Sequence, residues 1–507
     1  MSYEKTSFAK RAVLLLLAAL LSASAFTACA STEPEEQAAA QVSASPEETT
    51  AEPEETTIAD RIMETHAGTD YGGHELRIVG MNPGGGFYSL IDETANEVWY
   101  ETQTGDVYVD AVYSRNLMTE ELLNVKIVPE YAGGGYGDVA PFVQRLVASG
   151  DTSIEATLGA LSYNIGIAAS GNLHNLHNVD SMELEQPWYD QAIVKNYSYK
   201  GNKLYAISGA YNVFDDYAVP IVYYGKDIMT QYNIDDPAEL VKEGTWTIDA
   251  MMTMAETVSV DLDGDGNITD ADSYGFMDNT DILKHLLEGT GYTITRVSDD
   301  GVPFPTCLTP EFVDIAETLY NRIVSSPATR TGDNGTAANI FKENRGLFYY
   351  NLLGDIYTYR DMESSFSVLP LPKYNEAQEN YVSAVNSIWC TSLAIPVTIE
   401  GEALERTGTI LNVLSALSVD TVDKVLYELI LGSKLVRDEQ TLVMMDYILN
   451  NKQYCWGNGY DWASTVQGLF SSQNNSNSFI MASEVQSKSK AIQKQLDKFL
   501  EKFDALP

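Results

Sequence analysis

His74-Glu-Leu-Arg-Ile-Val-Gly80 and Asn124-Val-Lys-Ile-Val128 are two short runs of strand character, and the chain between them carries helical spacing over residues 110–123. A second helical stretch follows at 139–148. Strand, helix, strand, helix is the rhythm of an α/β domain, whose helices cover the faces of a sheet. Outward from this stretch, strand-like runs recur at Lys203-Leu-Tyr-Ala-Ile207, over 217–224 and at Phe366-Ser-Val-Leu-Pro-Leu371. Helical patterns at 248–258, 312–323 and 402–417 alternate with them. The tail sets Val485, Ile492, Leu496, Phe499, Leu500 and Phe503 at helical spacing, which predicts an amphipathic helix docked on the body. No repeat of fixed period is present, and after the N-terminal segment no apolar stretch reaches the roughly 20 residues of a membrane-spanning helix.

The chain has 507 residues, room for about three domains of ordinary size. Hydrophobic residues make up 44%, with 31 Tyr, 15 Phe and 6 Trp, enough to fill cores and leave aromatics for a binding surface, so a wholly disordered chain is excluded. Lys plus Arg number 31 against 72 Asp plus Glu, a formal charge of −41 that repels phosphate backbones. Nucleic acid is therefore not expected as a partner.

Lys5, Lys10 and Arg11 precede the apolar run 13–21, small residues and Phe26-Thr-Ala-Cys29, the layout of an export signal. Residues 1–29 resemble a bacterial lipoprotein signal peptide whose lipobox ends at Cys29, with Phe26 where an aliphatic residue is usual. That resemblance implies diacylated Cys29 and a mature protein held on the outer, extracytoplasmic face of the cell membrane by lipid alone. Residues 30–60 hold acids and no Lys or Arg, and read as a disordered, self-repelling tether. The remaining Cys307, Cys390 and Cys455 are odd in number and widely spaced, which fits buried thiols better than disulfides or a metal site.

Asp261-Leu-Asp-Gly-Asp-Gly-Asn-Ile-Thr-Asp-Ala-Asp272 is the sharpest local motif. Hard Ca²⁺ takes six to eight oxygens, and a loop of the EF-hand type supplies them from fixed positions around a glycine turn. Asp261, Asp263 and Asp265 fill the first three slots, Asn267 the carbonyl slot and Asp272 the last, so a structural Ca²⁺ is expected. The loop resembles that of dockerins too, but those carry two in tandem and one is found here. His174 and His177 lack a third ligand nearby, Gly84-Gly-Gly86 and Gly133-Gly-Gly135 lack the Lys-Ser/Thr ending of a phosphate loop, and Ser487-Lys-Ser-Lys490 is a chance match on a solvated helix face.

Around the acidic loop the order of motifs becomes informative: Gly225-Lys-Asp-Ile-Met, Gly244-Thr-Trp-Thr-Ile-Asp, the loop itself and Tyr274-Gly-Phe276, then Phe341-Lys-Glu-Asn-Arg-Gly, Phe366-Ser-Val-Leu-Pro-Leu and Leu393-Ala-Ile-Pro396. Together they resemble the extracellular solute-binding proteins of sugar ABC importers, family 1 type, over most of residues 74–503, departing at Gly225 and Gly354, where that family favours Asn and Trp. The resemblance implies a two-lobe, periplasmic-binding-protein-like α/β fold with a hinge and an interlobe cleft: lobe 1 at 61–219 and 385–436, lobe 2 at 220–384, and a C-terminal segment 437–507 packing across both. It implies a monomer that captures a carbohydrate, an oligosaccharide, for ABC permease subunits and is not an enzyme. The alternatives are a cell-surface glycoside hydrolase, which needs two facing carboxylates, and a binder of another solute such as a peptide. The cleft residues it implies are Ser162, Tyr163, Asp216, Tyr217, Asp278 and Asn351, with Trp389, Trp456 and, foremost, Trp462 as stacking platforms.

Overall fold

The computed structural model describes residues 56–81, 97–133, 135, 137–278, 282–359, 362–425, 439–458, 463–474 and 478–507. Cys29, nearly all of the acidic tether and Trp462 lie outside the described residues. The expected tether runs too long: Ile58–Thr65 is a helix, started by a capping box in which Thr57 and Asp60 satisfy each other's backbone N–H groups.

The opening stretch builds the first sheet. Strand β1 (His74–Gly80) pairs in parallel with β2 (Val125–Tyr131) and with β3 (Ala156–Ala160), and β12 (Thr391–Ala394) adds antiparallel to β3, in the order β12-β3-β1-β2. Every residue of β3 and β12 is buried, as expected for strands covered on both faces. The helix between β1 and β2 runs Val107–Leu123, starting ahead of the expected 110 because Asp106 accepts from the N–H groups of Tyr108 and Val109. It stops where Asn124 turns left-handed at φ 48°.

The second sheet has the order β10-β4-β9-β5-β8, made of β4 (Pro220–Gly225), β5 (Tyr274–Asp278), β8 (Thr329–Thr331), β9 (Gly346–Leu352) and β10 (Phe366–Leu369). Strand β4 runs antiparallel to both neighbours, and β5 is parallel to β8 and β9. Gly275 lets this sheet press on the helix Ile248–Val258, since a Cβ there would sit 2.0 Å from the Ala255 carbonyl oxygen. The departures at Gly225 and Gly354 have packing reasons: a side chain would meet Ile228 Cγ2 at 2.9 Å and Tyr217 Cβ at 2.9 Å, respectively.

Three sequence readings are corrected. Lys203-Leu-Tyr-Ala-Ile207 forms no strand but only isolated bridges, Tyr199 with Lys203 and Ile207 with Leu393; Leu204, Tyr205, Ala206 and Ile207 are buried without a ladder partner, which leaves the same apolar pattern. The run 217–224 divides into a helical turn, Phe214–Tyr217, and a strand that opens on Pro220, where the missing N–H costs no ladder bond. Strand β10 ends at Leu369 because Pro370 has no donor to continue it.

The chain passes between the sheets along a narrow junction. Asn386 N donates to Ala218 O (3.0 Å) and Leu353 N to Val219 O (2.8 Å), so the outgoing crossover lies against the returning one and against the end of β9. A third segment joins them: β11 (Ser383–Ala384) pairs in parallel with β13 (Lys452–Gln453). The hairpin of β6 (Arg296–Val297) and β7 (Pro303–Phe304) reaches the turn before residue 203, where Lys200 N donates to Gly301 O. The final helix, Met481–Ala505, packs Phe499 and Phe503 on Trp456, and Lys203 Nζ donates to the carbonyls of Phe503, Asp504 and Leu506 at its C-terminal end.

Candidate functional site

The carboxyl ends of β3 and β9 meet this junction, with β5 parallel beside β9, and in open α/β sheets the crevice outside such ends is where ligands bind. On the first lobe β3 runs directly into the helix Leu161–Ala168, whose first turn is tied to the returning crossover: Leu161 N donates to Cys390 O (2.8 Å) and Ser162 N to Ser387 O (3.0 Å). These bonds set Ser162 and Tyr163 beside the segment that carries Ile388 and Trp389. Tyr163 is 38% exposed and Ile388 42%, among the few large apolar side chains so open, and Trp389 is partly buried. Ser162 is buried with its Oγ unbonded. The Ser162-Tyr163 pair and Trp389, far apart in sequence, are thus brought to one rim, where exposed Tyr163 carries both a ring face and a phenol.

On the second lobe Asp278 ends β5 and is fully buried, with Oδ2 3.3 Å from Nδ1 of His285. The His285 ring stacks on Tyr350 at 4.1 Å and 8°. Burial, assisted by the Lys284 charge, holds His285 well below the usual imidazole range, so it is neutral at pH 7. Asn351 donates to the Tyr349 hydroxyl (2.8 Å) and accepts from Leu352 N (2.8 Å), and the Tyr349 phenol is pushed up to about 12 by burial. At the junction Asp216 Oδ1 meets Lys452 Nζ at 2.8 Å.

Two expected cleft residues belong to the core instead. Tyr217 is 1% exposed and packs edge-on against Phe214. Trp456, 2% exposed, lies 4.6 Å from Tyr197 and 5.3 Å from both Phe499 and Phe503, ring centre to ring centre, with its Nε1 donating to Asn196 O. No ring face is left for a ligand. Sequence reasoning missed Ile388, His285, Tyr350 and Lys452; of these only Ile388, next to Trp389, carried a local signal.

The acidic loop gathers part of its expected ligand set. One carboxylate oxygen each from Asp261, Asp263 and Asp265 lies within 4.8 Å of the others, and Gly264 (φ 76°) and Gly266 (φ 89°) make the turns. Asp261 holds the N–H groups of Gly264 and Gly266, and Asp265 holds Asn267 N (2.7 Å each). Asp272 is not in this group: its carboxylate is taken by Leu262 N and Thr269 N (2.7 Å each), bonds that lower its pKa and close the loop. Three converging hard oxygen donors fit Ca²⁺, which would neutralise their mutual repulsion.

A separate pocket of about 610 Å³, lined by Trp99, Tyr100, Tyr113 and Leu117 among others, lies along the helix Val107–Leu123 and β2, at the edge of the first sheet opposite β12. None of the expected site residues lines it. Among the described residues no helix is long and apolar enough to cross a membrane.

No protein family's sequence profile matches the chain, and no curated protein does. Solved structures do. The ABC substrate-binding protein Lmo0181 from Listeria monocytogenes, in complex with cycloalternan, is 12% identical over 84% of this chain and 99% of that one, with a TM-score of 0.54. The cyclic alpha-maltosyl-1,6-maltose binding protein from Arthrobacter globiformis is 12% identical over 86% and 99%, at 0.53. UgpB from Mycobacterium tuberculosis, in complex with glycerophosphocholine, is 15% identical over 85% and 100%, at 0.52. At these identities the likeness is one of fold, and the fold is the two-lobe α/β architecture of periplasmic binding proteins.

Proposed function

We propose that this chain is an extracytoplasmic solute-binding protein that captures a carbohydrate, an oligosaccharide, for an ABC importer and performs no chemistry on it. The observation that carries the reading is the rim at the junction, where exposed Tyr163 and Ile388 stand beside partly buried Trp389. Sugars present C–H faces to aromatic rings and hydroxyls to polar partners, and exposed Tyr163 offers a ring face and a phenol together. The fold's likeness to proteins solved with cycloalternan and named for cyclic maltosyl-maltose supports a saccharide over a peptide.

The rest of the proposal concerns how the protein is held. Diacylated Cys29 anchors a monomer to the outer face of the membrane, the acidic segment after it keeps the lobes clear of the surface, and Ca²⁺ at Asp261, Asp263 and Asp265 with the Asn267 carbonyl ties down the loop before β5. Thermal-shift screening against a saccharide library tests the central reading, since a ligand at 100 times its Kd adds about 2.7 kcal/mol of stability. Stabilisation by a saccharide that is recovered intact is the expected result. No shift across the library, or cleavage of the bound sugar, overturns it.

A further inference from the structure

Lys452 is one ammonium among several carboxylates at the junction. Its Nζ lies 2.7 Å from Asp190 Oδ2, 2.8 Å from Asp216 Oδ1 and 3.2 Å from Asp215 Oδ2, and none of the four side chains is more than 13% exposed. The partners come from different parts of the fold. Asp190 caps the helix Gln191–Tyr197 of the first lobe by accepting from Ala192 N, and it accepts from the Tyr454 hydroxyl (2.7 Å). Asp215 and Asp216 belong to the turn before the outgoing crossover, and Lys452 opens β13 in the third junction segment. Asp423, on the short turn Val422–Lys424, adds a fourth carboxyl group, near enough that its charge acts on Asp215 and the Asp216 charge acts on it.

The charges do not balance. Lys424 is paired with Asp420 (2.7 Å), and the nearby Tyr211 and Tyr454 hydroxyls and Cys390 thiol are all driven upward by burial, so they remain neutral. Among the described residues Lys452 is the one cation paired with the buried Asp190, Asp215 and Asp216, and in such a shielded space an ionised group without a partner is strongly disfavoured. Burial pushes Asp190 up too, but Lys452 and the Tyr454 hydroxyl hold it below the usual carboxylate range. Asp215 is raised well above that range by burial, and Asp423 is raised to about 7 by burial and then by the Asp216 charge.

We propose that the Lys452 cluster is a proton-holding pin that fastens the outgoing crossover and the third junction segment to the first lobe, so that the hinge tightens at acid pH and loosens at alkaline pH. As a regulator of solute affinity it rests on the function proposed above, but as a hinge device it is readable without any solute. Because Asp423 is raised in the folded state, its contribution to stability is complete below the ordinary carboxylate range and is lost as pH rises to about 7.

The experiment is small-angle scattering and thermal melting of the ligand-free protein at pH 5 and pH 8, for wild type, Asp423→Asn and Lys452→Met. Wild type should expand and melt lower at pH 8. Asp423→Asn, which keeps size and loses the titrating proton, should show a smaller change in both, and Lys452→Met should be expanded already at pH 5. If Lys452→Met does not fold, Asp215→Asn takes its place, with a reduced pH response expected. An equal response in wild type and Asp423→Asn, or no expansion of wild type, overturns the pin. Neither result bears on whether a saccharide binds, which the library screen decides separately.

Discussion

Trp456 is enclosed by Tyr197, Phe499 and Phe503, whereas Trp389 stands between exposed Ile388 and buried Cys390, on the segment bonded to the first turn that carries Tyr163. Equal residue types therefore predict opposite phenotypes. Trp456→Ala removes a ring packed on every side, and large-to-small changes of this kind cost about 3–5 kcal/mol, a drop that chemical denaturation reads directly. Trp389→Ala should leave the melting temperature within a few degrees of wild type while weakening a screened saccharide at least tenfold by calorimetry. Affinity within twofold of wild type, in folded Trp389→Ala, removes that tryptophan from the site. Nothing in the sequence separates the two tryptophans, because each sits among apolar residues and what distinguishes them is contact with a helix or a crossover far along the chain.

The strand β2 shows what an element conceals at sequence level. It is an edge strand, open to pairing with other chains, yet Ile127 N is taken by Glu120 Oε1 (2.9 Å) and Pro129 has no N–H, so its free edge is blunted. The strands β1 and β2 are legible because alternation and β-branching act locally; the missing strand at 203–207 is illegible because a ladder needs a neighbour, and burial alone writes the same pattern. The acidic loop is an intermediate case. Its one-letter spacing placed Asp261, Asp263 and Asp265 together but also assigned Asp272, which the fold spends on the backbone of Leu262 and Thr269. If Ca²⁺ sits on the first three, chelation should lower the melting temperature of wild type and leave that of Asp265→Ala unaffected. An unchanged wild-type melting curve after chelation means that no ion was holding the loop.

On the scale of the whole molecule, the two sheets were announced by the order of motifs, but the junction that makes them one machine was not. Its parts come from 218–219, 383–386 and 452–453, and the helix Met481–Ala505 comes from the far end of the chain to pack on Trp456, just beyond the last of them. That helix buries Met481, Val485, Ile492, Leu496, Phe499 and Phe503. At about 1.5–3 kcal/mol for each apolar side chain fully removed from water, the set contributes on the order of 10 kcal/mol. A folded protein's net stability is only about 5–15 kcal/mol, so the helix is no appendage but is comparable to the whole margin of stability. Its removal strips Trp456 of two of its ring neighbours and leaves Lys203 without the carbonyls it caps. Truncation after residue 478 should therefore abolish the cooperative melting transition and raise dye binding to exposed apolar surface at room temperature. A truncated chain that melts sharply within a few degrees of the full-length protein would show that the lobes hold each other without the helix, and that the junction strands alone carry the connection.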